Sequence, residues 1–160
     1  MRIEQRAAKL LQMSDEVWER HTNPWSVWTR YSGLPLFILA IWSRTWLGWW
    51  CLLPIAGVII WIWLNPRLFP KPQSIDNWAS QAVLGERILL DHTVKIAVHH
   101  LKMIQVLKAI MTVGTLLTIY GLIVLHIWLT VLGTVIVILG KSWFLDRMVW
   151  LYRDHHNIAK

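Results

Sequence analysis

The stretch HTNPWSVWTR, His21 to Arg30, decides how the rest of the chain is read. Asn23 is a good helix cap, and Pro24 suits the first helical position, where its missing N–H would be unpaired in any case. A helix opened there stays apolar as far as Trp42. That is about 19 residues, or roughly 28 Å, close to the thickness of a bilayer core. Arg30 would then sit about 9 Å inside a membrane span, a depth its long side chain offsets by snorkelling toward the headgroups.

The composition agrees with a membrane setting. Of 160 residues, 56% are hydrophobic and 13 are tryptophan, with a mean hydropathy of +0.44, too apolar and aromatic for a soluble domain of this length. A net charge of +7 would suggest nucleic acid in a soluble protein. Here the cations gather around apolar blocks, so membrane orientation accounts for them and no nucleic-acid partner is expected. Cys51 is the single cysteine, which excludes an internal disulfide and a cysteine-based zinc site. The charged N-terminus has no apolar core of the signal-peptide kind.

Upstream of His21, residues 1–20 have helical amphipathic spacing, with Ile3, Ala7, Leu10, Leu11, Val17 and Trp18 on one face. Downstream, "SRTW" (Ser43–Trp46) breaks the chain, and 46–64 supplies a second span closing a tight hairpin. Asn65-Pro66 and "FPKP" (Phe69–Pro72) are expected to end it. Residues 73–108 form a polar middle, with one helix opened by Ser74 or Asp76. A second, basic helix there places His92, Lys95, His99 and Lys102 on the face opposite Val94, Val98 and Leu101. Residues 109–125 and 128–145 are a third and a fourth span, and 146–160 a basic aromatic tail. The expected fold is all-α: a single membrane domain of two transmembrane helical hairpins (four spans), an N-terminal amphipathic helix and a cytoplasmic, interfacial helical segment between the hairpins. The exits "WLNPRLF" (Trp63–Phe69) and "WFLDRMV" (Trp143–Val149) echo each other, as a duplicated hairpin would.

Orientation follows from the cations. Of 16 lysines and arginines, only Arg44 lies at a hairpin tip. The positive-inside rule therefore puts both termini and the middle segment in the cytoplasm, in an inner-membrane setting. Trp42, Trp46 and Trp128 fall to the outer interface, and Trp25, Trp61, Trp63, Trp143 and Trp150 to the inner.

Ionisable residues at a membrane edge are functional candidates, because leaving them in lipid costs several kcal/mol. Arg30, Arg67 and Arg147 read first as snorkelling anchors or members of structural ion pairs, a reading ranked above a ligand site. They also come from three spans and fall near one level. With Arg87, Asn77 and Trp78 they make a candidate binding set for an anion, since guanidinium groups suit phosphate or carboxylate. Asp76, Glu86 and Asp146 are the candidate acids or bases, with His100 or His99 as a shuttle. The seven histidines include the pairs His99-His100 and His155-His156. Neighbours on a helix point about 100° apart, so neither pair is expected to chelate one ion alone. The chain has no HExxH, no nucleophile elbow and no Walker loop. Neither a metal nor an organic cofactor is expected.

Together, "NPWSVWTR", "WLNPRLFP", "DNWAS" with "AVLGER", and "FLDRMVWLY" resemble the marks of an uncharacterised family, a domain of unknown function, of small prokaryotic four-span membrane proteins. The resemblance covers about His21 to Asp154. It implies that Asn23, Trp25, Trp28, Arg30, Asn65, Arg67, Asp76, Asn77, Trp78, Glu86, Arg87, Asp146 and Arg147 belong to the motif set, and it assigns no activity. Three function classes follow. The first is a non-enzymatic accessory, lipid-contacting or assembly role, because no catalytic constellation is complete. The second is a membrane-embedded enzyme or binding protein for an amphiphile with an anionic headgroup at the cytoplasmic face. A small homodimeric transporter ranks last, since the outer halves of the spans are polar only at Thr118, Thr130 and Thr134. The partners expected are the bilayer, an anionic lipid or amphiphile, and a second copy of the chain. If the ionisable residues line one cavity, the binding reading gains; if they pair off around the perimeter, it loses.

Overall fold

The computed structural model describes residues 14–91 and 94–158, and among these the regular structure is entirely helical. The first thirteen residues of the expected amphipathic helix, and His92, lie outside the described residues. Ser14 caps α1 (Asp15–His21), accepting from the Val17 N–H at 3.4 Å, with acids in the first turn and Arg20 and His21 in the last, as the helix dipole favours. Asn23 then restarts the chain as anticipated. Its Oδ1 accepts from the Trp25 N–H at 3.0 Å, and Pro24 opens α2 (Pro24–Arg30).

The helix expected over 24–42 is two helices. After α2 comes a tight turn at Tyr31 and Ser32, then α3 (Gly33–Trp42). Pro35 is the physical reason: it has no N–H for the Tyr31 carbonyl, and its ring crowds that carbonyl. Thr29 and Ser32 tighten the turn by bonding back to the carbonyls of Trp25 and Thr29, each at 2.6 Å. The hairpin tip also differs from a bare break at Ser43–Trp46. It consists of α4 (Arg44–Leu47) and a 3-10 turn (Gly48–Cys51), with Gly48 at φ +52° reversing the chain.

The return helix α5 (Leu52–Leu68) starts and ends later than expected. It passes through Asn65-Pro66 and stops only where Phe69, preceding Pro70, turns extended at φ −90°, ψ 143°. Gly33 at the start of α3 lies beside Ile62 near the end of α5, so the two run antiparallel.

Asn77, rather than Ser74 or Asp76, opens α6 (Trp78–Leu90), accepting from the Ser80 N–H at 2.9 Å. The basic helix expected before Lys108 is shorter at its start, since residues 94–97 are not helical. Helix α7 (Val98–Ile123) merges its remainder with the third apolar stretch, because neither Gly nor Pro interrupts residues 98–113. Helix α8 (Ile127–Ile158) likewise carries the fourth stretch on into the expected tail.

Three stretches are long and apolar enough to cross a membrane: Pro24–Leu68, which contains the α3–α5 hairpin, Val98–Ile123 and Ile127–His156. Helices α7 and α8 pack backbone to backbone. A Cβ on Gly133 would lie 2.5 Å from the Thr118 N, and one on Gly121 2.6 Å from the Thr130 N. Helix α6 crosses α8 as closely, at Gly85 against the Met148 carbonyl. The buried core gathers there, around Ala82, Val83, Leu107, Leu145 and Met148. Toward the tips the helices instead display Leu116, Ile123, Trp128 and Leu139, all more than half exposed, an apolar surface suited to lipid.

Arg44, the one cation at a tip, donates to the carbonyls of Leu122 and Ile123 at the C-terminus of α7. That position satisfies orphan carbonyls and complements the dipole, and it joins the two hairpin tips.

Candidate functional site

The break between α1 and α2 brings His21 back under Ser26 and Arg30. Ser26 Oγ donates to Asn65 Oδ1 at 3.1 Å, so in the 2.9 Å contact with His21 it is the Nδ1–H that donates. The other ring nitrogen, Nε2, accepts from Arg30 Nη1 at 2.7 Å. Asn65 Nδ2 donates to Thr29 Oγ1 at 2.7 Å, and Thr29 to the Trp25 carbonyl. This is one directed chain through α1, α2 and α5, with Ser26 and Asn65 fully buried and His21 3% exposed. Within this chain the buried groups of His21, Ser26 and Asn65 all have partners, as a low-dielectric interior demands. The chain fixes the His21 tautomer and holds the Arg30 guanidinium in place.

Arg30 faces a cavity of about 270 Å³ between α2, α3, α6 and α8, walled by Val27, Leu34, Val137, Ile138 and Leu145. Two further charged groups line it. Glu86 from α6 accepts from Lys141 Nζ of α8 at 2.6 Å. Burial drives His21 down and the neighbouring Arg30 adds to the effect, to a pKa of about 3, so the imidazole is neutral. Burial alone would raise the Glu86 carboxyl, but Lys141 and Arg30 overcome that and hold it below the ordinary carboxylate range. Two cations and one carboxylate leave one positive charge in excess in a cavity that His21 and Tyr31 also line and whose remaining walls are aliphatic.

Of the residues singled out in the sequence, this cavity unites only Arg30 and Glu86. Asp146 accepts from the Trp78 indole N–H at 3.2 Å, and Trp78 stacks on Trp28 with ring centroids 5.6 Å apart. Arg67 lies over the Trp63 ring at 4.0 Å, and its carbonyl accepts from Arg20. Arg87 pairs with Asp15 on the surface. Asn77 is the α6 cap, and the exposed Asp76 gives only its backbone N–H, to Ser74 Oγ. The Arg147 Nε is buried without a hydrogen-bond partner among the described residues, away from the cavity.

Two site residues escaped the sequence reading. Lys141 had a signal: it is a charge inside the apolar run 128–145, which alone marks a candidate. His21 had little beyond standing two residues before the Asn23 cap.

His100 is only 2% exposed and meets Asp154 of α8, Nε2 to Oδ2, at 2.9 Å. Its neighbour His99 leans toward it, with ring centroids 4.2 Å apart. His99, His100 and Asp154 can each offer one ligand atom, all within 4.8 Å of one another. Beside the histidine pair, which was not expected to chelate an ion alone, α8 therefore places a carboxylate.

A family model described as "Family of unknown function (DUF6653)" matches residues 2–159. No curated protein and no solved structure matches the chain.

Proposed function

The chain belongs to this family of unknown function, and from that premise we propose that it is a four-span protein of the cytoplasmic membrane that binds one amphiphile with an anionic headgroup. Both termini face the cytoplasm in this reading. The cations gathered at the end away from the tips, with Arg44 occupied by α7 carbonyls at the other, support that orientation.

The cavity carries the proposal. Its walls are aliphatic, and its polar end holds Arg30, Lys141 and Glu86 with one positive charge unmatched. A single carboxylate or phosphate would complete that balance. At about 270 Å³ the cavity is at the lower edge of the roughly 300–1,000 Å³ typical of ligand pockets. It therefore takes a headgroup and the first part of one chain, leaving the rest in the bilayer.

Binding is favoured over catalysis because a general acid or base works best with a pKa near the operating pH. His21, near 3, and Glu86, held ionised by Lys141, both lie far from it. This gives the lipid-contacting, non-enzymatic class a definite ligand chemistry. Transport remains the weakest class, since the Thr118, Thr130 and Thr134 hydroxyls each donate to a carbonyl four residues earlier rather than lining a polar path.

Native mass spectrometry of protein extracted gently with its lipids tests the reading. The wild-type chain should retain one anionic amphiphile, Arg30→Gln should lose it at least tenfold, and Glu86→Gln, which increases the positive excess, should retain it more strongly. A wild type carrying only neutral lipid, or an Arg30→Gln variant that is helical, inserted and equally loaded, overturns it.

A further inference from the structure

We infer that the first turn of α7 and the last turns of α8 form a site for one divalent transition-metal ion, held by His99, His100 and Asp154. This cluster belongs to a different cavity from the amphiphile site and does not depend on that reading. Two observations carry it. The three ligand atoms already lie within 4.8 Å of one another, although Asp154 stands on another helix, 54 residues from His100. A cavity of about 350 Å³ opens directly on the three side chains, leaving room for a water or an exogenous fourth ligand.

The remaining adjustment is small. Bonds of about 2.1 Å place the ligands of a tetrahedral ion roughly 3.4 Å apart. His99 is exposed and Asp154 half-exposed, so both side chains can reach that spacing by rotation, Asp154 opening from its 2.9 Å contact with His100 Nε2 while His100 stays fixed.

Two imidazoles and one carboxylate form a nitrogen-rich set that suits zinc, nickel or copper and does not suit calcium or magnesium, which require oxygen ligands. Lys95 also lines the cavity, and the positive end of the α7 dipole lies beneath it. Both weaken any cation, so affinity in the micromolar range is expected rather than that of a closed structural zinc site.

The test uses the full chain in nanodiscs, stripped of metal and titrated with Zn²⁺ by calorimetry, with the Co²⁺ absorption spectrum as a readout of the ligand set. One ion per chain is expected. His99→Ala and Asp154→Asn should each weaken Zn²⁺ binding at least tenfold and alter the Co²⁺ bands. His126→Ala, at the opposite end of α7 and α8, should bind like the wild type. His99 and Asp154 are chosen because neither is buried, so their variants should fold, with an unchanged far-UV spectrum as the check. The proposal is overturned if the wild type shows no saturable 1:1 binding, or if both variants bind as well as it does. Equal losses in His126→Ala would overturn it too, because binding would then follow histidine content rather than this site.

Discussion

Helices α7 and α8 run 26 and 32 residues without interruption and meet through glycine, with Gly133 against Thr118 and Gly121 against Thr130. The polypeptide from Pro24 to Leu68 reverses direction over a similar distance in five pieces. It depends instead on a buried polar chain, from Arg30 through His21, Ser26 and Asn65 to Thr29. In the long pair the Thr118, Thr130 and Thr134 hydroxyls bond back to their own helices, and the helices meet by close packing. In the broken pair the polar side chains at the α1–α2 break are buried and bond to one another, and two of them, His21 and Arg30, form the edge of the cavity. Irregularity and the proposed anion-binding cavity therefore coincide in one half of the molecule, while the long pair brings Lys141 to that cavity and holds His99, His100 and Asp154 at its own end away from the tips.

The contrast can be broken most sharply at Gly133. An alanine there places its Cβ about 2.5 Å from Thr118 backbone and side-chain atoms. Gly133→Ala should cost about 3 kcal/mol or more in reversible unfolding in mixed micelles. Gly57→Ala, with open space around its Cβ, should be neutral or gain up to about 1 kcal/mol from helix propensity. Equal effects at the two sites would remove the distinction between a glycine-packed and a polar-packed half.

Next in size is Asn65→Leu, similar in branching though larger, and unable to accept from Ser26 or donate to Thr29. A loss of about 2 kcal/mol is expected in the same assay. A change below about 0.5 kcal/mol would mean that the chain is not what holds the first hairpin together.

The smallest effect, over the first pH unit below 6.5, is a pH dependence. The folded His21 pKa, about 3, lies below the unfolded value near 6.5. The unfolded state therefore binds more protons between those values, and stability is full above pH 6.5 and declines as the pH falls toward 3. The slope from this residue is at most about 1.4 kcal/mol per pH unit. Lowered Glu86 adds loss in the same direction at the acid end. His21→Asn, which keeps a donor to Ser26, should flatten the decline between pH 6.5 and 5. An unchanged slope would assign it to other groups.

Much of the helical plan was legible because its signals are local. Asn23-Pro24 restarts the chain where expected, and the apolar runs are helical. The misreadings also have local causes weighed wrongly. Pro35 broke a helix expected to be continuous, Pro66 failed to end one, and the junction near Lys108 contained nothing able to end one. The candidate site was half legible. Arg30 and Glu86 share the cavity, but Arg67, Arg87 and Asp146 found separate partners: a tryptophan face, a surface carboxylate and an indole N–H.

By itself the sequence determined that this protein is helical, apolar enough to enter a membrane and charged asymmetrically along its length. Hydropathy, capping and breaking residues act within a turn or two of where they stand. Only the tertiary structure decided which charges meet. Glu86 reaches Lys141 across 55 residues and His100 reaches Asp154 across 54. Pairings over such distances are set by where α6 crosses α8 at Gly85 and where α7 lies along α8, and no local periodicity encodes those crossings.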